Sequence, residues 1–190
     1  MEQRGKLFRM ADQAADLTLL GIVWLLTSIP LLTLGTSCAA LYDAAVRSVR
    51  SGEKGPLKAY FRAWKENAVQ GSMATGIFML LAGLLVLDGC IMKGTALFWV
   101  VMLLGIFLTA MGIYFFPILS RFRLSLGQCF RVSAAMAAGH IAGTGMLFGT
   151  WVLCGIVFLI YPFLLPVLAA FYAFYASFVL EKIFRTYIEP

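Results

Sequence analysis

The chain has 190 residues, of which 62% are hydrophobic and 13% charged, and its mean hydropathy is +0.90. Soluble domains average about 25% charged residues, and a water-soluble core of this size has no room for so much apolar surface, so lipid is the implied solvent. The formal charge of +6 does not point to nucleic acid: the basic residues fall in short stretches between apolar runs, as in chains oriented across a membrane, with no nucleic-acid-binding signature.

In chain order, Arg4, Lys6 and Arg9 precede an apolar stretch over 14–46. A signal peptide or a lipoprotein leader ending at Cys38 would begin this way, but Leu34-Gly35-Thr36-Ser37 places Gly where the lipoprotein motif wants Leu. The rest of the chain is also apolar enough to stay in a membrane, so this region is expected to be a retained helix. Ser28-Ile29-Pro30 and Gly35 interrupt it. It is either one span over about 17–41 or a hairpin, up through 10–30 and back through 34–50. Charge separates the two. With a hairpin, 14 of the 15 Lys and Arg residues share one side and only Lys93 lies on the other; with a single span the ratio falls to 11 to 4. The positive-inside bias favours the hairpin, with both termini cytoplasmic.

Next, Pro56 suits a first helical turn. Leu57, Tyr60, Phe61, Trp64 and Ala68 follow on one helical face while Lys58, Arg62 and Lys65 occupy another. This predicts a short amphipathic helix over 56–68 lying at the lipid headgroups, or presenting Lys58, Phe61, Arg62, Trp64, Lys65 and Asn67 to a partner. A weaker version recurs at 121–131 with Arg121 and Arg123. Apolar runs at 69–92, 95–119, 133–160 and 163–184 are each long enough to cross hydrocarbon. The expected fold is an all-α polytopic transmembrane bundle of six helices, five being the alternative, plus the interfacial helix. It forms one integral membrane domain over residues 1–190.

Ionisable groups inside a bilayer need an account. Asp43 has Arg47 one turn later, an i,i+4 pair, and Asp16 is expected at similar depth, close enough to share that Arg. The set reads as a structural cluster pinning the hairpin at the inner interface, or as a functional site. His140 is the single histidine, placed about nine residues into a helix from Arg131, roughly 13 Å deep. Gly139, Gly143, Gly145 and Gly149 flank it, so it bonds across a close helix contact or relays protons. Asp88 reads as a solvated helix end. Cys38, Cys90, Cys129 and Cys154 show no paired spacing and read as packing residues. A Walker loop, HExxH, CxxC and a nucleophile elbow are all absent from the sequence. The chain is therefore expected to be non-enzymatic, with no catalytic residue, cofactor or metal.

Four groups of segments stand out together: Asp16-Leu17 with Trp24-Leu25-Leu26-Thr27-Ser28-Ile29-Pro30, Thr33-Leu34-Gly35 and Ala39-Ala40-Leu41-Tyr42; Tyr60-Phe61-Arg62-Ala63-Trp64-Lys65-Glu66-Asn67; Phe116-Pro117-Ile118-Leu119-Ser120-Arg121-Phe122 with Gly139-His140; and Ala173-Phe174-Tyr175-Ala176-Ser177 with Lys182-Ile183-Phe184. In this order and spacing they resemble the YesL-like family of uncharacterised bacterial integral membrane proteins. Phe130-Arg131-Val132-Ser133 departs from the Lys-Asn that relatives often carry there. The resemblance implies a bacterial cell-membrane protein whose genes accompany those of carbohydrate uptake. From it follows an expected role as an accessory, scaffold or regulatory partner of a sugar transporter or membrane signalling protein. The alternative is a small-solute transporter or channel, working as a homo-oligomer.

Overall fold

In the computed structural model the backbone is described for residues 2–50 and 55–188, and side-chain surroundings for 12–47 and 55–184. Every regular element among them is helical: α1 (Glu2–Thr27), α2 (Leu34–Ala44), α3 (Pro56–Ile91), α4 (Leu97–Arg121), α5 (Leu126–Gly139), α6 (Ile141–Ile160) and α7 (Leu165–Ile188). A 3₁₀ turn at Leu31–Thr33 leads into α2, and a π-helical stretch, Ala45–Arg50, extends it. Among the described residues four helical stretches are long and apolar enough to cross a membrane: Pro56–Ile91, Leu97–Arg121, Ile141–Ile160 and Pro162–Phe184. The large apolar side chains they leave exposed, such as Leu80, Trp99, Leu153 and Phe163, suit a lipid solvent and would be a liability in water.

α1 and α2 form an antiparallel hairpin around Pro30. Leu20 shares a buried cluster with Ala40, Leu41, Ala44 and Ala45, while seven residues on, Ser37 Oγ donates to Thr27 Oγ1 at 3.0 Å. The helix α2 is only 11 residues long, about 16 Å, and falls short of a span. It is instead the most enclosed element, with Gly35 to Ser37 and Ala39 to Ala44 buried. Contact with α3 is close because Gly71 lacks a side chain: a Cβ there would stand 2.9 Å from Thr36 Cα. Small residues on both helices let the backbones approach as in other membrane bundles.

Two expectations need correction. Residues 56–68 are no separate surface helix; they are the first turns of α3, which runs unbroken through the predicted junction to Ile91. Nothing at 68–72 breaks a helix, and Ala59, Tyr60 and Ala63 are buried against α1, α2 and α7. The predicted span 133–160 is two helices, broken at His140, whose φ of −115° and ψ of 61° are not helical. α5 is the independent amphipathic helix: Cys129, Ser133, Met136 and Ala137 are buried on one face while Gln128, Arg131 and Ala135 are exposed on the other. Ser125 and Gln128 cap its start reciprocally. Pro117 lies inside α4, which continues to Arg121.

The core joins α4, α5 and α7. Phe115 lies 4.6 Å centroid to centroid from Phe130 and 5.3 Å from Phe78, with Tyr114, Ile118, Leu180 and Phe184 fully buried around them. Both ends of α5 stand at one end of the bundle. Its start shares a cleft with Arg121, which pairs with Glu181, and its finish lies beside Lys182. We call this the basic end. Lys93 is in the opposite α3–α4 turn. Arg4, Lys6, Arg9, Arg50, Lys54 and Arg185, which the hairpin argument also used, have side chains outside the described residues.

Candidate functional site

At the basic end, polar residues far apart in sequence converge. The helical spacing of Asp43 and Arg47 puts them on one face of the α2 extension, and Arg47 Nε donates to Asp43 Oδ1 at 2.8 Å. Asp43 is 5% exposed and Arg47 largely exposed, so the pair reaches from the core to solvent. Behind it, Arg121 Nη2 donates to Glu181 Oε2 at 3.2 Å, and Tyr42 Oη donates to Glu181 Oε1 at 3.4 Å. This cluster fastens α2, α4 and α7 together. Glu181 is 9% exposed; a carboxyl group so enclosed is costly to bury without charged and hydrogen-bonding partners.

In front of the cluster is a cleft of about 710 Å³ whose lining includes Arg47, Glu66, Asn67, Gln70, Arg121 and Arg123. Asn67 Nδ2 donates to the Ala63 carbonyl at 2.9 Å, which fixes its side chain along α3. Among the described residues Arg123 has no carboxylate within salt-bridge distance. Sequence reading had named Asp43, Arg47, Asn67, Arg121 and Arg123 in separate groups, and the fold brings them to one place. Tyr42 and Glu66 enter the sequence reading only within the family-like segments, and Gln70 and Glu181 do not enter it. Glu181 carried a signal all the same: an acidic residue in the apolar run of α7 is itself a flag.

The other candidates lie elsewhere. Asp16, on α1, makes no ion pair among the described residues and does not share Arg47 as expected. Lys58, Phe61, Arg62 and Lys65 are exposed on the first turns of α3, while Trp64 is half-buried and packs against the α1–α2–α3 cluster. His140 sits at the α5–α6 junction, not within one continuous helix running from Arg131. It is half-buried in a recess with Phe178, Val179 and Lys182. Its backbone closes both helices: its N–H donates to the Met136 carbonyl and its own carbonyl accepts from Thr144 N. Of the flanking glycines only Gly143 meets another helix, at Ile183; Gly139, Gly145 and Gly149 have open space.

Deeper in the bundle, a cavity of about 350 Å³ among Trp24, Cys38, Tyr42, Phe116, Trp151 and Tyr172 is almost wholly apolar. The aromatic stack of Phe78, Phe115 and Phe130 stands in the core that also holds Tyr114. Beside His140, Thr144 Oγ1 donates to the His140 carbonyl at 3.0 Å and meets Tyr114 Oη at 3.0 Å. The arrangement can hold a charged ligand at one end.

No curated protein and no solved structure matches the chain. Residues 17–89, which carry α2, most of α3 and the cleft residues Arg47, Glu66, Asn67 and Gln70, are similar to the family described as "Protein of unknown function, DUF624".

Proposed function

We propose that the chain is a non-enzymatic accessory protein of a bacterial cytoplasmic membrane, docking beside a transporter or signalling protein of carbohydrate use with its basic end in the cytoplasm. α1 and α2 would add a hairpin to the four long spans. The observation that carries this reading is the two-sidedness of the first turns of α3. Ala59, Tyr60 and Ala63 are buried while Lys58, Phe61, Arg62 and Lys65 are exposed on the other side. Aromatic and cationic side chains left uncovered beside each other suit a protein partner at the membrane surface. The carbohydrate link rests on the family resemblance alone, and the similarity to DUF624 is compatible with it.

The test is mild-detergent capture from cells grown on an inducing sugar, with the wild-type chain and a Phe61→Glu, Lys65→Glu double variant. A transporter or sensor subunit retained by the first and lost from the second is the expected outcome. Equal recovery with both, or no such protein with either, refutes it. The transport alternative draws on the helix break at His140. The apolar core between His140 and the opposite turns weighs against it, and solute flux in liposomes that His140→Ala abolished would restore it.

A further inference from the structure

We propose that the cleft at the basic end is a binding site for a phosphoryl anion. Three guanidinium groups reach it from three separate elements: Arg47 from the extension of α2, Arg121 from the last turn of α4, and Arg123 from the α4–α5 connection. Buried acids anchor two of them from behind, Asp43 on Arg47 at 2.8 Å and Glu181 on Arg121 at 3.2 Å. Anchoring matters because a guanidinium held in one orientation loses little entropy when a ligand arrives. Arg123 is exposed and has no carboxylate partner among the described residues, which leaves its charge open to a ligand in the cleft.

The rest of the lining suits the same ligand. Gln70 and Ser125 add side chains able to donate hydrogen bonds. Ser125 is also the cap of α5, so the positive end of that 14-residue helix stands at the cleft wall. Arginine forks match the oxygen geometry of phosphate and bind it bidentately. At about 710 Å³ the cleft is far larger than bare phosphate. Its wall also carries Val69, Leu119, Phe122 and Leu124, which would face the organic part of a phosphate ester. One lining group opposes the anion: the carboxylate of Glu66. Two sources share this chemistry, the headgroup of an anionic phospholipid and a soluble phosphate ester. The inference does not depend on the docking role, since a ligand could occupy the cleft with or without a partner on α3.

The experiment uses the full chain in two settings. In neutral detergent, thermal stability is followed against glycerol 3-phosphate and against sodium chloride at equal ionic strength. In nanodiscs, retained lipid is counted by native mass spectrometry with phosphatidylcholine alone and with added phosphatidylglycerol. Stabilisation by glycerol phosphate in the first setting identifies a soluble ester; selective retention of phosphatidylglycerol in the second identifies a lipid. Either supports the site. Arg123→Gln, at an exposed position, is expected to fold as wild type and to weaken binding about tenfold or more, the usual effect of losing a charge-assisted hydrogen bond. Glu66→Gln is expected to tighten binding several-fold. No discrimination in either setting overturns the proposal, as does unchanged binding by both variants.

Discussion

Replacing Arg121 by Met tests whether the polar cluster at the basic end is built as described. The change keeps a long flexible side chain but removes the group that neutralises Glu181. The Glu181 side chain is 11% exposed and that of Arg121 35%. Removing one partner of a buried ion pair typically costs 3–5 kcal/mol, and the partial exposure of Arg121 places this case near the lower end, at about 3 kcal/mol. Glu181→Gln removes the stranded charge and keeps an acceptor for Tyr42 Oη, so the double variant is expected to recover about 2 kcal/mol of the loss. The assay is reversible unfolding of the purified protein in mixed micelles, followed by tryptophan fluorescence, for both single variants and the double. An Arg121→Met variant within about 0.5 kcal/mol of wild type, the range of ordinary surface changes, would refute the reasoning. So would additive effects of the two substitutions, because the pair would then be solvated and uncoupled.

Two further outcomes follow from packing and topology. A Cβ at Gly21 would clash with the Pro166 backbone carbonyl, whereas one at Gly76 meets nothing within 4 Å. Gly21→Ala is therefore expected to destabilise by about 1–3 kcal/mol through overpacking, and Gly76→Ala to be neutral or slightly stabilising, as read by the same unfolding assay. In a cysteine-free background, Lys93→Cys is expected to react with an impermeant thiol reagent added outside intact cells, and Gly127→Cys to resist it. Labelling of Gly127→Cys from outside would reverse the proposed orientation.

Long apolar runs were legible in the sequence because hydrocarbon imposes a minimum length, and the Pro56 start of α3 was legible because proline tolerates few helical positions. The hairpin came from charge rather than hydropathy, since the apolar part of α2 is too short to announce itself. The continuity of α3 was missed where an amphipathic pattern gives way to an apolar one. The missing side chain of Gly71, just past that point, serves the contact with Thr36. The break at His140 was missed because no proline marks it. The convergence of Arg121 with Glu181, 60 residues away, depends on how α4 and α7 stand side by side, and no local pattern encodes that.

The unbroken α3 has a mechanical consequence. Its 36 residues make a rod of about 54 Å, clamped near Gly71 by the close contact with Thr36. From that clamp to Lys58 is about 20 Å, and to Ile91 about 30 Å. Its first turns are held as well, with Ala59, Tyr60 and Ala63 buried in the bundle. One stiff hydrogen-bonded helix therefore joins the basic end to the far turn with no joint between them.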